Sequence, residues 1–138
     1  MHNNWIAGEW IGSSNSQNNL NPSDLDDVVG EYVRASEADV QDAIAAAHAA
    51  WPSWSLSTPQ QRFDALDQIG SEILARKNEL GELLAREEGK TLPEAIGEVA
   101  RAGQIFKFFA GEALRIVGDI QASVRPGIQV EVTREPIG

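Results

Sequence analysis

The spacing of apolar residues changes twice along this chain, and the two changes confine it to a helical centre between β-structured ends. At the start, Trp5, Ile6, Trp10 and Ile11 form short aromatic and β-branched runs broken at Gly8, which predicts a small hairpin. The polar cluster over residues 13–19 predicts a loop. Asn21-Pro22-Ser23-Asp24 predicts a turn, and Val28, Val29, Tyr32 and Val33 predict a strand after it.

At Ser36 the period becomes helical. Ser36-Glu37-Ala38-Asp39 resembles a capping box, and Val40, Ile44 and Ala47 continue it toward a stop near Ala50, because Trp51-Pro52 pushes the backbone out of the α region. Ser57-Thr58-Pro59 starts a second helix, with proline at the position where its missing N–H costs nothing. Phe63, Leu66, Ile69, Ile73 and Leu74 give that helix one apolar stripe facing the core. Leu80, Leu83 and Leu84 mark a third helix ending near Gly89 in a left-handed cap. Leu92-Pro93 opens a fourth, about 25 residues long, through Ile96, Val99, Ala100, Phe106, Phe109, Ala113 and Val117. Beyond Gly118 the period falls to two: Ile128, Val130 and Val132 alternate with polar residues, and Arg125-Pro126-Gly127 turns back to residues 120–124. The fold class is α/β, with a hairpin at each end and about four helices between.

The length of 138 residues fits one domain. Lys and Arg number 11 against 21 for Asp and Glu, a net charge of −10, and Arg34 is the single basic residue before Pro59. A nucleic-acid binder needs a basic face, so that class is excluded. With no cysteine there is no disulfide framework, thiolate metal site or cysteine nucleophile. No apolar run reaches the ~18 residues of a membrane span and no secretory signal opens the chain, so the expectation is a soluble, cytoplasmic protein.

Motifs for chemistry are sparse. Gly89-Lys90-Thr91 lacks the earlier glycine of a phosphate loop, since Leu84 stands there, and no G-x-G-x-x-G follows a strand. His2 and His48 have no second histidine at ligand spacing. Glu94 and Glu98 lie four apart on one helix face and could share a proton, but Lys90 and Arg101 flank them as in a solvated ion-pair face. No serine has a base beside it in sequence. Phe106, Phe108 and Phe109 point to both sides of a helix, which implies burial against this chain and against something outside it.

Taken in order, Trp5-Ile6-Ala7-Gly8-Glu9-Trp10, Asn21-Pro22 with Val28-Val29-Gly30, Arg86-Glu87-Glu88-Gly89-Lys90-Thr91-Leu92-Pro93-Glu94-Ala95, Phe108-Phe109-Ala110-Gly111 and Arg134-Glu135-Pro136-Ile137-Gly138 resemble the N-terminal portion of the aldehyde dehydrogenase superfamily. The resemblance implies an enzyme that oxidises an aldehyde to its acid through a thiohemiacetal, with hydride transfer to NAD or NADP. It also implies that the catalytic cysteine, glutamate and asparagine, and the cofactor site, lie outside these residues. Residues 1–117 would be the outer part of the nucleotide-binding domain and residues 118–138 a hairpin of the oligomerisation arm, in a fragment of a homodimeric or homotetrameric enzyme. The stretches 21–30 and 89–95 are similar to those of the subgroup acting on α-ketoglutaric semialdehyde. Many members hold a structural sodium or potassium ion on a main-chain oxygen before the Asn-Pro turn and on a carboxylate of the long helix. The matching positions here are Leu20 and Glu98, with Glu98 where the family usually has aspartate. The competing class is a stand-alone acidic helical module that binds a partner through its phenylalanine-rich helix without catalysis.

Overall fold

The first hairpin forms where aromatic residues can face each other across the strands. In the computed structural model, which describes residues 1–137, β1 (Asn4–Ile6) pairs antiparallel with β2 (Glu9–Ile11), and Trp5 meets Trp10 edge to face with ring centroids 4.7 Å apart. A second ribbon joins β3 (Ser16–Asn21) to β4 (Asp24–Val33) through the expected turn at residues 21–24, with register shifts on either side of Leu20. His2 extends this ribbon, since its N–H donates to the Glu31 carbonyl at 2.6 Å and its ring stacks on Tyr32.

Strand β3 corrects the loop expected over residues 13–19. Its Ser, Gln and Asn side chains have low strand propensity, but the ladder with β4 pairs the backbone along one edge, and cross-strand contacts override the local preference. The Ser16 hydroxyl donates to Glu31 at 2.5 Å, and the Asn19 amide donates to Glu87 at 2.9 Å.

Helix α1 (Glu37–Ser55) begins at the expected capping box, in which Ser36 accepts from the Asp39 N–H and Asp39 accepts from the Ser36 N–H. It does not stop near Ala50. Pro52 removes the one N–H that would reach back to the His48 carbonyl, and the helix nonetheless continues past it to Ser55, with the Ser53 and Ser55 hydroxyls donating to the carbonyls of Ala50 and Pro52. Helix α2 (Pro59–Ala75) starts under a second capping box made by Thr58 and Gln61, and α3 (Lys77–Glu88) follows after Arg76 alone. Gly89 closes α3 with φ of 70°, the left-handed cap expected there. Helix α4 (Leu92–Ala113) is shorter than its apolar period suggested, ending before Ile116 and Val117. The chain then forms the hairpin of β5 (Asp119–Ala122) and β6 (Gln129–Val132).

Small residues make the core. Helix α4 buries Ala95, Val99, Gly103, Ala110 and Ala113, and α2 and α3 lie against it at Gly70 and Gly81. A Cβ placed on Gly70 would stand 2.9 Å from the Gly103 carbonyl oxygen, and one on Gly81 would stand 2.6 Å from Ile96 Cγ1 and 2.9 Å from its Cα. Lys107 clamps the α2–α4 pair from the side, donating to Asp67 at 2.7 Å and to Ser71 at 2.6 Å. On the α2 stripe Phe63, Leu66, Ile73 and Leu74 are half-buried, whereas Ile69, also expected to face the core, is exposed because α4 covers only one flank of the helix.

Much apolar surface is left uncovered. No residue of α1 is buried, and Val40, Ile44 and Trp54 on it are exposed, as are Phe108, Phe109, Ile120, Val130 and Val132. The accessible surface is 10300 Å², against about 7,000 Å² expected for a compact monomer of this mass. The three two-stranded ribbons share no strand, so the described residues contain no larger sheet.

Candidate functional site

The polar groups converge where the turn at 21–24 meets the junction of α3 and α4. Two local signals build this place: Pro22-Ser23 in the turn, and Gly89, whose missing side chain lets the turn close on the helix end. A Cβ on Gly89 would stand 2.7 Å from Ser23 Oγ and 2.8 Å from Pro22 Cγ, and the Ser23 hydroxyl donates to the Gly89 carbonyl at 3.1 Å. The Asn21 side chain accepts from the Ser23 N–H at 2.9 Å, an Asx turn that fixes the bend.

Arg86, in the last turn of α3, reaches Asp27 on β4 with two parallel hydrogen bonds of 2.9 and 2.6 Å, and the Asn21 amide adds a third at 3.1 Å. These donors, Arg86 first and Asn21 second, lower the Asp27 carboxyl to a pKa of about 2. A depressed carboxylate contributes stability above its unfolded pKa near 4 and loses it as pH falls toward about 2. The thermal midpoint of the wild-type chain is therefore expected to fall more steeply between pH 4 and pH 2 than that of Asp27→Asn. Parallel curves over that interval would remove the pair from any role in stability.

Glu94 and Glu98 have separate partners. The Thr91 hydroxyl and backbone hold Glu94 below its ordinary pKa, while both Glu98 oxygens accept from Lys90 Nζ, at 2.8 and 2.7 Å. Lys90 also pairs with Glu88. Leu20 sits at the bulged point of the β3–β4 ladder, one residue before the turn, and Glu98 in the second turn of α4. Both oxygens of the Glu98 carboxylate thus face Lys90, and its side chain is 56% exposed. Among the described residues no group of three or more His, Cys, Asp or Glu side chains comes together as a metal site. His48 lies exposed on α1.

The Asp27–Arg86 pair was not readable from the chain, since 59 positions separate its members. Also unforeseen is a cleft of about 360 Å³ lined by Trp51, Trp54, Arg62, Ile116 and Arg134. Arg62 donates to the Ser57 carbonyl at 2.6 Å, but its Nε is buried with no acceptor among the described residues.

For a nicotinamide dinucleotide the arrangement supplies neither a glycine-rich strand-to-helix turn nor the carboxyl edge of a parallel sheet, so it does not fit that cofactor by itself. What it can do is mechanical: it ties the β3–β4 ribbon to a helical layer. The comparison with known proteins says what such a layer belongs to. The model of the aldehyde dehydrogenase family matches residues 10–138. This chain belongs to the aldehyde dehydrogenase family.

Among its relatives are the α-ketoglutarate semialdehyde dehydrogenase of Haloferax volcanii, 35% identical over 137 residues, and the α-ketoglutaric semialdehyde dehydrogenase of Bacillus subtilis, 36% identical over 137 residues. Each alignment covers 98% of this chain and 28% of the relative. Among solved structures, the succinate-semialdehyde dehydrogenase of Burkholderia pseudomallei superposes with a TM-score of 0.92 at 31% identity, covering 100% of this chain and 29% of its own. The betaine aldehyde dehydrogenase of Staphylococcus aureus, solved in complex with NAD+, gives 0.90 at 28% identity over 99% of this chain and 28% of its own. The fold is thus that of the N-terminal part of an aldehyde dehydrogenase, and this chain spans less than a third of the length of these relatives. Gly138, the last residue of the Arg134-to-Gly138 motif, lies outside the described residues.

Proposed function

We propose that these residues are the structural N-terminal segment of an NAD(P)-dependent aldehyde dehydrogenase that oxidises α-ketoglutaric semialdehyde, in the cytoplasm and as a homo-oligomer. The observation that carries the reading is the match along nearly the whole chain to two dehydrogenases named for that substrate. The exposed surface supports it: about 3,000 Å² beyond that of a compact monomer is the scale of an obligate interface. Arg62 Nε, buried without an acceptor beside Trp51 and Trp54, is suited to a carbonyl from the rest of the subunit.

In this reading residues 1–117 form the outer layer of the cofactor-binding domain, and residues 118–138 give the arm hairpin, whose β5 and β6 edges pair with strands from outside the chain. The cofactor accepts hydride and a cysteine elsewhere attacks the aldehyde. The residues seen here hold Asp27, Arg86 and the Asn21 turn in place against α3 and move no proton. The test is NADH formation by a subunit that begins with these residues. Turnover of α-ketoglutaric semialdehyde with a kcat/KM at least tenfold above that for betaine aldehyde is expected. A soluble subunit inactive toward every aldehyde would sink the activity, and a preference for betaine aldehyde would sink the substrate.

A further inference from the structure

We propose that the stripe Val40, Ile44, Ala47, Trp51 and Trp54 of α1 seats the stretch of the same subunit that directly follows residue 138, laid antiparallel to the helix. These five positions fall three and four apart, so they share one face of α1 along about 21 Å. That face is bare: Ile44 is 58% exposed and Trp54 55%. It is also unsuited to water, because no Asp, Glu, Lys or Arg occurs between Asp42 and Arg62, although such residues make up 23% of the chain. A helix so poor in charge is one that packs against something.

The path of the chain points to what covers the face. Arg134, Glu135 and Pro136 line the cleft at the C-terminal end of α1 with Trp54 and Ser55, and Ile137 lines the next cleft, which reaches back to Ala47. Over these four residues the backbone thus already runs from the end of α1 toward its start. A third cleft carries the line on to Val40, Ile44 and Trp5 of β1. From Ala47 back to Val40 is about 11 Å of helix, which an extended chain crosses in about three or four residues. The relatives have residues to supply them, since this chain matches their N-terminal part and less than a third of their length. Two buried donors mark the ends of the track: Arg62 Nε in the first cleft and Asn4 Nδ2 in the third, each with no acceptor among the described residues. Backbone carbonyls of an incoming segment are the groups that satisfy them. The inference rests on reading these residues as the N-terminal segment of a longer subunit, and not on which aldehyde that subunit takes.

The test uses the complete subunit. These 138 residues contain no cysteine, so a maleimide label on an α1 peptide is read by mass spectrometry without background. Ile44→Cys, on the stripe, is compared with Asp42→Cys, on the opposite side of the helix. Labelling at least tenfold slower at Ile44→Cys is expected, and equal rates would overturn the proposal. The occupant is then identified by disulfide trapping between Val40→Cys and a cysteine placed in turn at each of the first six positions after residue 138. A disulfide within one chain at one or more of them is expected, since bonding requires Cα atoms within about 7 Å. No disulfide at any of the six would overturn the proposal, because another part of the subunit would then cover the face. A disulfide between two chains would overturn it in favour of a second copy. Should Ile44→Cys not fold, Ala47→Cys, which adds a single sulfur atom, is read in the same way. Both readouts are made without substrate, so they hold or fail separately from the proposed activity.

Discussion

Gly81→Ala is expected to destabilise the chain by about 1–2 kcal/mol, although alanine is the better helix former by about 1 kcal/mol. The added Cβ would stand 2.6 Å from Ile96 Cγ1, 2.9 Å from its Cα and 3.1 Å from its N. The last two atoms are backbone of α4, so a side-chain rotation cannot relieve the contact and the two helices must separate. Gly97, on α4, is the control, because a Cβ there meets nothing within 4 Å. Gly97→Ala is expected to gain up to about 1 kcal/mol from propensity alone. Urea midpoints that move in opposite directions would establish that the α3–α4 contact is set by the absence of a side chain. Midpoints that rise together would mean that the helices are not in contact at Gly81.

The chain made by itself is expected to self-associate. Its β5–β6 ribbon carries Ile120, Ile128, Val130 and Val132 exposed on a two-stranded sheet with both outer edges unpaired, and such an edge is a template for another copy. Phe108 and Phe109, 60% and 55% exposed, add a second apolar surface on α4. The charge of −10 opposes association, but at 0.15 M salt the repulsion is screened beyond about 8 Å and does not reach groups in contact. Sedimentation velocity should show mass growing with concentration, and more so at higher salt. A single species of 15.0 kDa up to high micromolar concentration would mean that the exposed faces need no partner.

What the sequence disclosed, and what it hid, follows from the range of the interactions. The caps at Ser36, Thr58 and Gly89 are local, made by side chains within three positions or by one glycine, and each was legible. Helix α1 outran its expected end because Pro52 costs it one hydrogen bond, the one to the His48 carbonyl, while the turns on either side close normally. Strand β3 was hidden because Ser16, Gln17, Asn18 and Asn19 owe their extended form to β4. At the candidate site the Glu94–Glu98 spacing was visible, but the choice of Lys90 by Glu98 depended on how α3 turns into α4. The family was readable because five short motifs fall in the right order. None of them reveals the tightness of the Gly70–Gly103 crossing, which is a property of two helices brought together.

On the proposed function this segment carries structure and not the oxidation chemistry, which titration of NAD+ into the purified chain in a calorimeter checks. The chain has no cysteine to attack an aldehyde, and among the described residues no parallel sheet offers an edge to seat a pyrophosphate. No saturable heat is predicted. A single-site isotherm with a Kd below about 100 μM, equivalent to about −5.5 kcal/mol, would contradict the claim and put the cofactor site within these residues.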